Sequence, residues 1–566
     1  MRRYKVWMLF VAVNIIGFYF FLVNMGRWFP RDWDSFFTPI SLFTRSSIWH
    51  YLTLPLHNPW RCGGSDMFIN PQTRYFSPFI ILDILFTPQW AILLTMMIFG
   101  FLGAASTFKL LESLGCRSKS AMVGAILFIN GSWFALHFTE GHLTYSDMQL
   151  LPAILFCLKK INEEINRFLL VSILAIILLD GAIQAFLYCG LVILSGLFAF
   201  PDSRAYIRQI GVRDAIKLPV IFFLITAPKV IPALISLRDR HPRFERTVMS
   251  FKLLMDSLFN PWQEFRMVAT RGTPFHFHEF GCYLAWSGIF LVAVLAFNSV
   301  WRKKYWRILV LFFFWLWVGC GWGTPINPWL VFQNVPVLNH AHIQSRLFVI
   351  MFLFFTILVA MSLDHIGRKR LWWIIAVLVL AESSYVRLHI TSILGMDYHG
   401  ESLSMSDFIL SNNLDATVES GRTTAHYLHL NTSALNCNDH ADFPSEVKSI
   451  HDSNYLGEIF YEHGAGSVKL EQYLPGEIQF HHRSTEASTI VVNTNYLWGW
   501  RTESPGALVT PQTFGDILRV EVPRGEGKIR LTYWPSYLLP CLGLFMIGIL
   551  LYLFELKRLM DNRNSG

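Results

Sequence analysis

Apolar residues come in long unbroken runs, separated by short polar stretches that carry much of the charge. The runs fall near 6–24, 90–113, 119–137, 148–158, 167–180, 183–200, 217–236, 283–299, 307–320, 346–364, 371–384 and 535–555. A helix needs roughly 20 apolar residues to cross a bilayer. The pattern therefore predicts a polytopic α-helical membrane protein with about twelve transmembrane helices, although several runs are shorter than that length. Residues 77–87 read as a further partial helix. A different period takes over late in the chain. "SVKLEQYL", "GEIQFHH", "STIVVNTNY", "ILRVEVP" and "KIRLTYW" alternate apolar and polar positions between Gly and Pro, which predicts antiparallel strands. The predicted plan is a transmembrane domain over 1–384 with a long first outer loop at 25–76. A β-rich extracytoplasmic domain follows over 385–534, then a final helix and tail over 535–566. Residues 400–450 show no regular pattern.

Composition agrees with this plan. Hydrophobic residues make up 53% of the 566 and charged residues 15%, against about 25% charged in soluble proteins. The net charge of +8 does not point to nucleic acid, because the basic residues are divided among short loops. These are Arg2-Arg3-Lys5, Arg117-Lys119, Lys159-Lys160-Arg167, Arg204-Arg208-Arg213-Lys217, Arg302-Lys303-Lys304-Arg307, Arg368-Lys369-Arg370 and Lys557-Arg558. With an even number of spans and the N-terminus inside, every group falls on the cytoplasmic side of an inner membrane, as do both termini. No small-residue cleavage site follows the first run, so it reads as a retained helix. The eight cysteines form no CxxC pair, which argues against a metal knuckle or redox motif. Those inside apolar runs read as small packing residues.

The predicted outer loops hold the unusual polar chemistry. In "MGRWFPRDWDSFF", Asp32 and Asp34 are flanked by Arg27 and Arg31. One acid could act as general base while the other orients a partner or a metal; both could instead cap the next helix. Trp28, Phe29 and Trp33 beside them suit an interfacial belt or stacking on a sugar. Arg61 and Arg74, in the turn-rich "HNPWRCGGSDMFINPQTRYFSP", suit an anion such as phosphate. "TEGHLTYSD" crowds Glu140, His142, Tyr145 and Asp147; Glu140 and His142 could hold a divalent ion or a sugar hydroxyl. Asp180 and Gln184 sit within a long apolar stretch, where polar groups usually face a cavity or a partner. His276, His278 and Glu279 precede a span and suit phosphate or sugar recognition, since no third His completes a metal set. Lys229 within its run reads as a snorkelling residue. Arg346 at the mouth of the 346–364 span could neutralise a lipid-linked phosphate or anchor to headgroups. Each group alone has a plain structural use; gathered on one membrane side, they point to a site at the outer boundary.

The ordered series "DWDSFF", "HNPWRCGGSDMFINPQ…SP", "EGHLTYSDMQLLP", "DGAIQAF", "FNPW", "HEFGCYLAW" and "QSRLFVIMFLF" resembles the YfhO-like family of bacterial membrane proteins, within or close to the C-type glycosyltransferase superfamily. The tail "YLGEIFYEHGAGSVKLEQYLPGEIQF", "TIVVNTNYLWGW" and "RVEVPRGEGKIRLTYWPSY" fits as well, so the resemblance covers nearly the whole chain. It departs near 181, where the family often carries an acid or Gly-His and this chain has Gly181-Ala182. The resemblance implies a glycosyltransferase that takes a sugar from a polyprenyl-phosphate donor and passes it to a glycan, lipid or protein acceptor outside the cell membrane. It puts the catalytic base at Asp34 or Asp32, with Asp34 favoured. Arg61, Arg74 or Arg346, with or without a divalent cation, would stabilise the leaving phosphate. No cofactor is fixed by the sequence. A transporter or flippase would need internal repeats, which are not evident; a non-catalytic assembly protein would tolerate loss of both acids.

Overall fold

In a computed structural model the chain is mainly helical, with a separate β-rich region near its C-terminus. The structure describes residues 3–25, 29, 31–237, 248–264, 266–268, 275–324, 326–335, 343–393, 416–418, 432–435 and 446–564. Arg27, Trp28, Cys437 and most of 400–450 lie outside the described residues.

The twelve apolar runs lie largely on helical backbone. Among the described residues, six helices are long and apolar enough to cross a bilayer: Pro88–Ser113, Ser118–Glu140, Val212–Ile235, Gln344–His365, Lys369–Ile393 and Leu538–Asp561. A seventh would be the bent pair Ile183–Ala199 and Pro201–Arg208, which turns by 103°. Other runs make shorter helices. Trp286–Ala296 has 11 residues, about 16 Å at 1.5 Å per residue against a hydrocarbon core of about 30 Å. The first run breaks at Phe18, between Arg3–Gly17 and Tyr19–Val23. The 77–87 segment carries the short helix Ile80–Leu85. The expected β domain begins later than residue 385, because the Lys369–Ile393 helix continues to 393.

Burial divides the helices by position. Ser118–Glu140 and Gln344–His365 are enclosed by protein over 94% of their most apolar window, and Leu538–Asp561 over only 22%. The first two form the centre of the bundle and the last presents its apolar side chains outward. A surface of that kind is stable against lipid, where exposed Leu, Ile and Phe carry no penalty.

The β region holds two four-stranded antiparallel sheets. One orders Leu508–Val509, Ile517–Val522, Ser488–Asn495 and Ile459–His463; the other orders Trp500–Thr502, Gly525–Tyr533, Glu477–Ser484 and Gly466–Leu474. Alternation sets the register. Ile478 faces Leu531 and Phe480 faces Ile529 on one sheet, and Ile490 faces Val520 on the other. All six are buried in one core.

The long loop over 25–76 joins this region to the bundle. His57–Asn58 pairs with Ser65–Asp66 as a small hairpin. Asn495 donates from its side chain to the carbonyls of Cys62 and Gly64, at 2.5 and 2.9 Å, and from its amide to Gly63 at 2.7 Å. Tyr533 and Tyr537 both donate to Asp66 Oδ2 at 2.5 Å. Gly64 has φ +94°, and a Cβ there would run into Thr494 Oγ1, so only glycine permits this approach. Among the described residues, six cysteines are free and buried, while Cys62 in this loop is disulfide-bonded, which its isolated place in the sequence did not suggest.

Candidate functional site

The C-terminal end of Ser118–Glu140 and the N-terminal end of Gln344–His365, the two most enclosed helices, carry the polar cluster. Ser132–Glu140 ends at Gly141, whose φ is +100°. That left-handed conformation, a common helix stop, turns the chain back so that His142 follows at once. A Cβ on Gly141 would strike the Trp33 amide nitrogen and the Asp32 carbonyl carbon. The missing side chain thus lets the 140–142 turn lie directly on the 31–33 backbone.

That backbone is itself unusual. Arg31 has φ +69°, a conformation that costs a non-glycine residue about 1–3 kcal/mol and clusters at functional sites. Its carbonyl accepts from the amides of Asp34 and Ser35, opening a short π-helical turn over Trp33–Phe37. Trp33 anchors the turn by donating from Nε1 to the Phe138 carbonyl at 2.8 Å. Phe29 and Trp33 are buried against each other, centroids 4.9 Å apart, so they act as packing wedges rather than as a belt or a sugar platform.

Asp32 Oδ2 lies 3.1 Å from His142 Nε2. His142 Nδ1 lies 2.8 Å from His137 Nδ1, and His137 packs on Trp133 with centroids 4.1 Å apart. His278 Nδ1 is 3.4 Å from Glu140 Oε2 and its Nε2 is 3.3 Å from Glu279 Oε1. Glu140 also accepts from Arg31 at 3.1 Å. Glu279 is gripped by both arms of Arg346, Nε at 2.6 Å and Nη2 at 2.5 Å. The second Arg346 terminus donates to Gln184 Oε1 at 3.1 Å, which also accepts from the Tyr145 hydroxyl. Ser345 Oγ bonds the Glu279 carbonyl at 2.7 Å, fixing the strand of chain that presents His278 and Glu279.

Charge counting assigns the protons. Asp32, Glu140 and Glu279 face Arg31 and Arg346, three negative charges against two positive. Positive imidazole restores balance: His142 stands beside Asp32, and His278 has a carboxylate against each ring nitrogen. Burial alone would make the charged form of His142 harder to reach, but the hydrogen bond and charge of Asp32 outweigh burial and raise its pKa. Burial likewise tends to raise Asp32, and His142 more than reverses this, so Asp32 stays ionised below the usual carboxylate value. Glu279 is held well below its ordinary value, burial being outweighed by Arg346. As an imidazolium, His142 donates from Nε2 to Asp32 and from Nδ1 to His137, which is therefore neutral at Nδ1.

Exposure separates the acids. The Asp32 side chain is 36% exposed, against 12% for Glu140 and 6% for Glu279. Asp34 is buried at 3% within the π-helical turn. Seven predicted site residues thus come together: Asp32, Glu140, His142, Gln184, His278, Glu279 and Arg346. Three do not join them. Arg61 is buried with its guanidinium 4.5 Å from the Phe36 ring centre. Arg74 forms a two-pronged pair with Asp83, at 2.6 and 2.8 Å, in a separate cluster. Asp34 is buried in its own turn. The sequence reading missed His137, which lies inside an apolar run; its five-residue spacing from His142 across Gly141 was the only signal.

Ligand atoms of His142, His278 and Glu279 all lie within 4.8 Å of one another, so these three could gather around a divalent ion. Both Glu279 oxygens are bound to Arg346, and His142 to Asp32, so such an ion would have to displace existing bonds. No protein-family description, curated protein or solved structure matches this chain.

Proposed function

We propose that this protein is a membrane glycosyltransferase of the C-type kind, resembling the YfhO-like proteins, with Asp32 as its general base. The chain crosses an inner membrane about twelve times, with both termini cytoplasmic and the β region outside. A polyprenyl-phosphate carrier presents its sugar at the outer boundary, and a glycan, lipid or protein hydroxyl approaches from solvent. The hydroxyl oxygen bonds to the anomeric carbon, the carbon–oxygen bond to phosphate breaks, and the hydroxyl proton passes to Asp32. The phosphate leaves as an anion beside Arg346, Arg31 and the His142 imidazolium, which supply positive charge where it develops. His278, Glu140 and Gln184 hold this frame.

One observation carries the reading. Asp32 is the open acid at the rim of an otherwise closed cluster, assembled from segments more than 300 residues apart. A base must be reached by the proton it removes, which favours Asp32 over the buried Asp34. A divalent ion at His142, His278 and Glu279 would add positive charge beside the phosphate.

The test is transfer from labelled polyprenyl-phosphate sugars by purified protein in lipid discs. Asp32→Asn should lower turnover by about 10²–10⁴-fold, the usual worth of a positioned base, without loss of folded protein. Asp34→Asn should leave turnover within a few fold. Absence of turnover from every donor, with folded wild type, would favour a non-catalytic assembly role instead.

A further inference from the structure

A second buried polar cluster lies on the other side of the Leu143–Leu150 segment. It contains three carboxylates: Asp83 from Ile80–Leu85, Asp147 from Leu143–Leu150, and Asp180 from the turn after Glu164–Leu179. All three are essentially sealed from solvent, at 3%, 0% and 2% exposure. Two cations face them. Arg74 of the 25–76 loop is neutralised by its two-pronged pair with Asp83 and is further held by Thr95 at 2.7 Å. Lys229 of Val212–Leu237 does not snorkel, as its sequence context suggests, but turns inward. Its Nζ donates to the Asn70 and Thr73 carbonyls and to Thr73 Oγ1. Two carbonyls and a hydroxyl around Nζ form an oxygen cradle that suits an ammonium, which has three N–H donors.

Two cations therefore oppose three acids. Asp83 balances Arg74 and one more carboxylate balances Lys229, which leaves one negative charge too many. Burying an uncompensated carboxylate is far costlier than binding a proton to it. The hydrogen bonds point the same way. All four carboxylate oxygens of Asp147 and Asp180 lack a hydrogen-bond donor among the described residues. The Ser77 hydroxyl beside Asp180, the Asp147 backbone amide and the Asp147–Asp180 contact itself are close, but all fall short of hydrogen-bond geometry. Asp180 also borders a cavity of about 20 Å³, with Gln72, Arg74 and Asp83 on its wall. That is room for about one water.

We propose that Asp147 and Asp180 bind one proton between them, as a carboxylic acid paired with a carboxylate. The proton balances the cluster and supplies the missing donor. It also ties two parts of the candidate site together. Asp147 stands two residues after Tyr145, and Asp180 four residues before Gln184, and Tyr145 and Gln184 are hydrogen-bonded to each other. Loss of the proton would set two anions against each other at this joint. Asp147 and Asp180 are thus positioning residues, and the inference does not depend on glycosyl transfer. Burial and the neighbouring Asp180 push the Asp147 carboxyl well above the ordinary carboxylate range, in the direction the pairing requires.

The experiment uses the full chain in detergent or lipid discs. Infrared spectra at neutral pH should show the carbonyl stretch of a buried carboxylic acid, shifted by deuterium exchange and lost in Asp147→Asn. An asparagine at 147 can still donate to Asp180, so that variant should fold. Its melting temperature should fall less steeply than the wild type's as pH rises from acid to neutral, by the equivalent of one proton bound on folding. Should Asp147→Asn not fold, Asp180→Asn offers the same comparison with the roles exchanged. The idea is overturned by an unchanged acid band in a folded variant, or by failure of both amide variants to fold. It is also overturned by a melting temperature that rises with added sodium, magnesium or calcium in wild type alone, which would make the ligand a metal cation.

Discussion

Two polar clusters flank the same short segment, and they are built from nearly the same residue types. The one around His142 has Asp32 at its edge with a third of its side chain open. The one around Asp147 has no exposed acid. In the first, an acid rests beside an imidazolium and can meet an incoming hydroxyl. In the second, acids rest beside acids and guanidinium in a sealed space, where a proton is the smallest ligand that restores neutrality. The difference teaches that a buried carboxylate has no role by virtue of its type. Access decides whether it can do chemistry on a substrate or only hold a structure together.

The comparison can be broken at three points. The largest effect is expected from Arg74→Ala, which leaves Asp83 buried and uncompensated; stability should fall by about 3–5 kcal/mol, read as a drop in melting temperature in detergent. A loss below about 1 kcal/mol would mean that the sealed cluster is wetter than its burial implies. Next comes Gly141→Ala. It forces an alanine into a left-handed conformation, at about 1–3 kcal/mol, and pushes the turn away from Asp32. Transfer activity should fall further than stability does, because His142 is displaced from its partner. The smallest effect concerns pH. His142 has a raised pKa in the folded state, so its pairing stabilises fully below the ordinary histidine value and is lost as pH rises through the raised value. Asp32, lowered, contributes above the ordinary carboxylate value and loses that contribution as pH falls through its own. In His142→Gln the decline in melting temperature above the ordinary histidine value should flatten. An unchanged decline would place that titration elsewhere.

Much of the architecture could be read along the chain because helices and strands have local periods. The apolar runs mapped onto helices and the alternating segments onto the two sheets. Span lengths were less readable, since a run of apolar residues does not show where Phe18 or Asn130-Gly131 interrupts a helix. Seven candidate-site residues were legible because ionisable and amide side chains stand out in and beside apolar runs. His137 was not, because one histidine in an apolar run looks like packing. Arg74 was misplaced for the opposite reason: an arginine in a loop looks free until Asp83, nine residues on, is found to hold it.

The sequence by itself determined which segments are apolar, which alternate, and which polar residues must find partners. Those properties follow from the cost of leaving backbone and side chains unsatisfied in lipid or core, and they are local. Only the tertiary structure decided which partners they found. Whether Asp32 meets His142, or Asp147 meets Asp180, depends on where distant helices end against one another. Close packing sets those distances and dictates which charge is reached by solvent and which must keep its proton.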